Sequence, residues 1–125
     1  MTYEELMMQS LSALLENDES LYCPIYGTLI QDKIHYFGFF ALTDHCLLNA
    51  LLNGSRKEIA WSIRVPLDVK EVNIKKCLFP GQHIITINFN EGEPCKIRVS
   101  EKVYGIKNQA ANLAAFIHFI RQWER

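Results

Sequence analysis

Between Leu21 and Ser100 the chain is written as short runs rich in Ile, Val, Phe, Tyr and Thr, each closed by a turn signal. Punctuation of this kind suits antiparallel strands and leaves little room for long helices. The turn signals are Gln31-Asp32-Lys33, Thr43-Asp44, Asn53-Gly54-Ser55, Pro66-Leu67-Asp68, Phe79-Pro80-Gly81-Gln82 and Glu91-Gly92-Glu93. Six turns imply seven strands. Alternation is cleanest at Ile59, Trp61, Ile63 and Val65, at Ile85, Ile87 and Phe89, and at Ile97 and Val99, so each of these strands has one buried face.

The two ends have a helical period instead. Thr2-x-x-Glu5 has the form of a capping box, followed by Leu6, Met7, Leu11, Leu14 and Leu15, which predicts an amphipathic helix over residues 1–18 that ends near Glu16-Asn17-Asp18. Residues 107–123 predict a second helix, with Asn108 as N-cap and Leu113, Phe116, Ile117, Ile120 and Trp123 along one side. Arg121 and Arg125 in its last turn suit the negative end of the helix dipole.

The stretch Gly38 to Gly54, GFFALTDHCLLNALLNG, is ambiguous by composition alone. A continuous helix would bury Thr43, Asp44 and His45 without partners, at a cost, so it reads as a hairpin, Tyr36 to Leu42 returning as Cys46 to Leu52. Both parities of this hairpin are apolar: Phe39 with Phe40, Leu47 with Leu48, Leu51 with Leu52. A strand buried on one face should alternate, so its second face is expected to be covered as well. Either the N-terminal helix lies across it or another protein does. Phe39, Phe40, Leu48 and Leu52 are the candidate protein-interaction residues on this reading.

Four segments carry a resemblance. YGTL at Tyr26 to Leu29, GFFALTDHCLL at Gly38 to Leu48, VPLDVKEVNIKKCLFPG at Val65 to Gly81, and VYGIKNQAANLAAFIHFI at Val103 to Ile120 together resemble the bacterial PH-domain family. That family resembles GRAM domains in its LTD hairpin. The resemblance implies a mainly β (α+β) fold: a PH-like barrel of seven antiparallel strands in two bent sheets over residues 19–125, capped by the C-terminal helix. The N-terminal helix is an addition to it. The family hairpin often continues with basic residues where this chain has His45 and Cys46.

The resemblance raises phosphoinositide binding, for which eukaryotic PH domains gather basic residues at the first strand pair. Here that turn offers only Lys33, beside Asp32. Lys75, Lys76, Lys96 and Arg98 are the candidate anionic-ligand residues, and four converging cations would matter at about 1 kcal/mol each near an anionic membrane. A lipid headgroup is thus the second class of partner, after a protein or a second copy of the chain.

Other classes find little support. Thirteen basic against fourteen acidic residues give a net charge of -1, which lacks the basic signature of a nucleic-acid binder. Glu4 and Glu5 stand where a signal peptide needs positive charge, and no apolar run is long enough to span a membrane, so a cytoplasmic location is expected. Cys23, Cys46, Cys77 and Cys95 are scattered, without Cys-x-x-Cys pairing, and read as free thiols. His45 and Cys46 are adjacent on a strand and point to opposite faces, which prevents a thiol–imidazole dyad. His35, His83 and His118 lie on separate elements. Neither a metal, nor a cofactor, nor a catalytic set is expected. The reading is a non-catalytic PH-like interaction module.

Overall fold

Seven strands and two helices form in the expected order in the computed structural model, described here for residues 1–124: α1 (Tyr3–Ser12), β1 (Tyr22–Gln31), β2 (Ile34–Leu42), β3 (Cys46–Leu52), β4 (Ile59–Pro66), β5 (Val69–Lys76), β6 (Gln82–Phe89), β7 (Cys95–Ser100) and α2 (Gln109–Arg121). All strand pairs are antiparallel, in the order β4-β3-β2-β1-β7-β6-β5. The expected two sheets are therefore one hydrogen-bonded sheet, bent where β1 meets β7. The join is narrow, only Thr28 with Arg98 and Leu29 with Ile97. The barrel does not close. After the tight corner at Pro66 to Val69, β4 and β5 separate and do not pair.

Local chemistry explains the turns. Asp32 and Lys33 both take positive φ, 50° and 67°, so β1 and β2 are joined by a two-residue turn of the kind that matches strand twist. An Asn-Gly dipeptide commonly supplies the positive φ of a tight hairpin turn, but here positive φ falls on Arg56 and not on Gly54. Asn53 Oδ1 accepts from Ser55 Oγ at 2.8 Å and from the Lys57 and Glu58 amides, which makes a longer loop. Arg56 then lies 3.6 Å above the centre of the Phe37 ring.

The core has two compartments separated by the β1–β3 part of the sheet. Ile25, Phe40, Leu42, Leu47, Leu51, Ile85, Ile87 and Ile97 meet Leu113, Phe116 and Ile120 of α2 between the two arms of the bend. On the other face Phe39, Ala41, Leu48, Ala50 and Leu52 meet Met7 and Leu11 of α1. This is why both parities of the early hairpin are apolar: each face has its own helix.

Helix α1 starts as expected, with the Thr2 hydroxyl accepting from the Glu5 amide and the Glu5 carboxylate accepting from the Thr2 amide. It ends at Ser12, short of the expected Asp18. The Leu14 carbonyl accepts from Arg64 at 2.8 Å, and the Glu16 amide donates to Glu19 at 2.8 Å, so these groups bond outside the helix. Helix α2 also starts differently. Asn108 is left-handed, with φ of 62°, and its side chain makes no capping bond.

Gln109, at the first position of α2, has a role that sequence reasoning missed. Its buried amide accepts from the Tyr26 N–H at 3.2 Å and donates to the carbonyls of Tyr26 at 2.8 Å and Ser100 at 3.1 Å. It thereby stands in for a strand where β1 and β7 part, and satisfies backbone groups that burial would otherwise leave costly.

Candidate functional site

The four candidate protein-interaction residues are all buried. Phe40 points into the compartment beneath α2, whereas Phe39, Leu48 and Leu52 lie beneath α1. Of the two covers left open by the sequence, the N-terminal helix is the one present. Tyr3 stacks on Tyr26 at 5.9 Å and meets Phe39 edge-on at 6.1 Å. Its hydroxyl donates to the Arg56 carbonyl at 2.6 Å, and Glu4 accepts from the Lys107 amide at 2.9 Å.

A polar clasp holds the loop after α1. The Arg64 guanidinium on β4 reaches Glu19 at 2.6 Å and Glu16 at 2.7 Å, and the Glu19 side chain is 4% exposed. Thr43 donates to Glu19 at 3.1 Å while its hydroxyl accepts the Cys46 amide at 2.9 Å. Hydrogen bonding to Arg64 holds the Glu19 carboxyl down at about 2, so the clasp keeps its charge through mild acid and opens only as the pH falls toward that value. His45 lies on top, its Nδ1 3.5 Å from Glu19. Cys46 lies beneath, its thiol raised by burial and accepting from Arg64 at 3.3 Å. Both residues pack against the clasp, and burial keeps the Cys46 thiol from the thiolate form a nucleophile needs.

The four candidate cations divide. In the β5–β6–β7 ladder Lys75 stands opposite Ile84, Ile84 opposite Arg98, and Arg98 opposite Thr28 of β1, which makes one row across the outer face. Lys96 shares that face in the next row, with Thr86 and Asn73. Lys76 has the other parity, opposite His83, because side chains alternate along a strand. Arg98 also lines a groove of about 310 Å³ with Tyr26, Thr28, Phe37, Gln82 and Lys102. Among the described residues, Lys75, Lys96, Arg98 and Lys102 have no carboxylate within ion-pair distance. Lys102 is not one of the four candidates, and it joins Arg98 only through the fold.

A second surface follows from the open sheet. Because β4 and β5 do not pair, the inner side of β4 lacks a facing strand at its far end. Trp61 is 55% exposed and Ile63 46% exposed there. Tyr36 packs edge-on against Trp61 at 5.8 Å, and exposed Ile34 continues the same parity of β2. Between Ala60 and Pro66 the edge has no unpaired charge, since Arg64 directs its guanidinium to Glu16 and Glu19.

Burial raises the remaining core thiols, Cys23 to about 11 and Cys95 to about 12. Among the described residues, no three His, Cys, Asp or Glu side chains gather as a metal would require. No helix among them is long and apolar enough to cross a membrane.

No family model matches the chain, and no curated protein matches it. Solved structures do. The hSac2 domain from human phosphoinositide phosphatase Sac2 is similar at 14% identity, over 98% of this chain and 83% of that one, with a TM-score of 0.62. The C-terminal domain of an unknown protein from Leishmania infantum is similar at 13% identity, over 96% of each chain, with a TM-score of 0.62. A pleckstrin-homology-domain protein from Shewanella loihica gives 13% identity, over 90% of this chain and 92% of that one, and a TM-score of 0.48. At such identities the likeness concerns fold alone. The fold is α+β: one open seven-stranded antiparallel sheet with a helix before it and a helix after it.

Proposed function

We propose that this chain is a non-catalytic PH-like interaction module that binds a protein through the apolar rim of β4. One observation carries the reading: Trp61 and Ile63 stand exposed on one side of an edge strand, while the larger apolar face of the early hairpin is already filled by α1. Large aromatic side chains left exposed beside a free edge are typical anchors of protein contacts. In this reading Phe39, Leu48 and Leu52 hold α1 in place, and they meet a partner only where α1 gives way. Replacing Trp61 with a photoreactive phenylalanine derivative should give discrete protein adducts on irradiation in the cells that make the chain. The same probe at Asn73, on the outer face of β5, serves as comparison. Equal labelling from the two positions would overturn the reading.

The row formed by Lys75 and Arg98 favours a second reading, recognition of anionic headgroups or phosphate. Arg98 is half-buried and has no carboxylate among the described residues to balance it. Flotation with anionic vesicles at low salt should retain the protein, and near-physiological salt should release it through screening. The paired substitution K75Q with R98Q should weaken retention by about 2 kcal/mol, or roughly 30-fold. Retention equal on neutral vesicles, or indifferent to salt, would exclude this mode.

A further inference from the structure

We infer that the partner of the β4 rim is a second copy of this chain, paired antiparallel edge to edge about a two-fold axis at Ile63. The inference rests on the proposed protein-binding role of that rim and names its occupant.

The hydrogen-bond pattern of β4 carries the argument. The Leu67 amide donates to the His45 carbonyl at 2.9 Å, which marks residues 45 and 67 as a bonded pair. Bonded pairs recur every second residue in an antiparallel ladder, so Val65, Ile63 and Trp61 bond to Leu47, Asn49 and Leu51 of β3. Ser62 and Arg64 lie between them and turn their N–H and C=O groups outward. No other strand pairs with β4, and no side chain among the described residues takes either amide.

Two features interrupt this edge. At one end is Pro66, which has no N–H to offer and occupies an outward position. At the other is a bulge, where Ala60 is an extra residue between the pairs Leu51 with Trp61 and Leu52 with Ile59. A two-fold axis at Ile63 sets Pro66 of one copy opposite Ala60 of the other, so that the interruptions fall together. Between them Ser62 faces Arg64 of the second copy, and Arg64 faces Ser62. Each such pair can exchange two main-chain hydrogen bonds.

The side chains agree with that register. Ile63 meets Ile63 at the axis, in a close non-bonded pair, and Trp61 meets Val65 on either side. All three share the inner side of β4, which is exposed at Trp61 and Ile63, while Val65 is half-buried against the core. On the opposite side Arg64 is opposed by Ser62, and its charge is already balanced by Glu16 and Glu19, so no like charges face each other. The other free edge, β5, offers less, because Glu124 of the C-terminal segment already accepts its Val72 amide at 3.0 Å. The contact is short, at the small end of specific interfaces, and suits a reversible dimer.

Sedimentation equilibrium of the whole chain over a wide concentration range, with amide exchange measured residue by residue, tests this. The expected result is a monomer–dimer equilibrium in which the Ser62 and Arg64 amides gain protection with concentration. S62P should abolish it without disturbing the β3 ladder, since the amide it removes points outward. I63E should abolish it as well, and mixing the I63E chain with the I63K chain should restore a heterodimer, because the two positions face each other only in this register. A chain that stays monomeric throughout, or a dimer that forms without protecting Ser62 and Arg64, would overturn the inference. If the monomer still gives Trp61-specific adducts with other proteins, self-pairing alone has failed. If those adducts are also missing, the proposed rim has failed with it.

Discussion

Replacing Leu11 with alanine is expected to remove about 2–5 kcal/mol of stability, the range for truncating a fully buried leucine. Leu11 is 0% exposed and lies on the outer face of β2 and β3 with Met7. The loss is a large share of the roughly 5–15 kcal/mol that holds a domain of this kind together. A ten-residue helix has little stability of its own in water, so α1 exists because it is docked, and the variant should loosen the whole helix. The denaturation midpoint in urea measures the first effect. Binding of a hydrophobic dye in native buffer measures the second, as Phe39, Leu48 and Leu52 become accessible. A midpoint change worth under about 1 kcal/mol, with no dye binding, would mean that α1 is not what covers the hairpin.

Gly38→Ala should be comparably damaging for a different reason. A Cβ at Gly38 would stand 2.7 Å from the Ala50 carbonyl oxygen and 3.1 Å from Leu51 Cα. Both atoms belong to the backbone of β3, which cannot swing aside as a flexible side chain could. Gly38 also sits in the middle of the β1–β2–β3 ladder, opposite Gly27 and Leu51. Strain there should cost about 1–3 kcal/mol or more. Gly54→Ala is the control, since a Cβ there meets nothing within 4 Å, and it should leave the urea midpoint almost unchanged. Equal midpoints for the two variants would show that β2 and β3 are free to part at this point.

Much of the architecture was legible because it is decided locally. Thr2 and Glu5 meet within one helical turn, so the capping box could be read and is present. The strand from Cys46 to Leu52 is bounded as expected, because the turn residues Thr43 to His45 sit beside it. Readings failed where a distant group intervened. Leu14 and Leu15 continue the helical period, yet Arg64 takes the Leu14 carbonyl and the helix has already ended. Asn53-Gly54 has the composition of a tight turn, but the Asn53 side chain organises a wider loop and Arg56 settles over Phe37.

The candidate surfaces show the same division. Apolar residues at both parities of the early hairpin said that two faces were covered, and strand periodicity alone is enough for that conclusion. That α1 covers one of them, with Phe40 turned toward α2 and Phe39 toward α1, depended on how the helices fold back. Lys75, Lys76, Lys96 and Arg98 are equivalent in a list of cations, but ladder register puts three on one face and sends Lys76 to the other. Gln109 looked like any first-turn polar residue until the parting of β1 and β7 gave its amide three backbone partners.

Local patterning was enough for the seven strands, their order and the two amphipathic helices, because hydrophobic period and most turn signals act over a few residues. Only the tertiary structure decided that the sheet stays open, which basic residues share a face, and that β4 keeps a free edge beneath Trp61 and Ile63. Those outcomes depend on pairings between residues far apart in the chain, where register and strand twist choose among arrangements that local chemistry leaves equal.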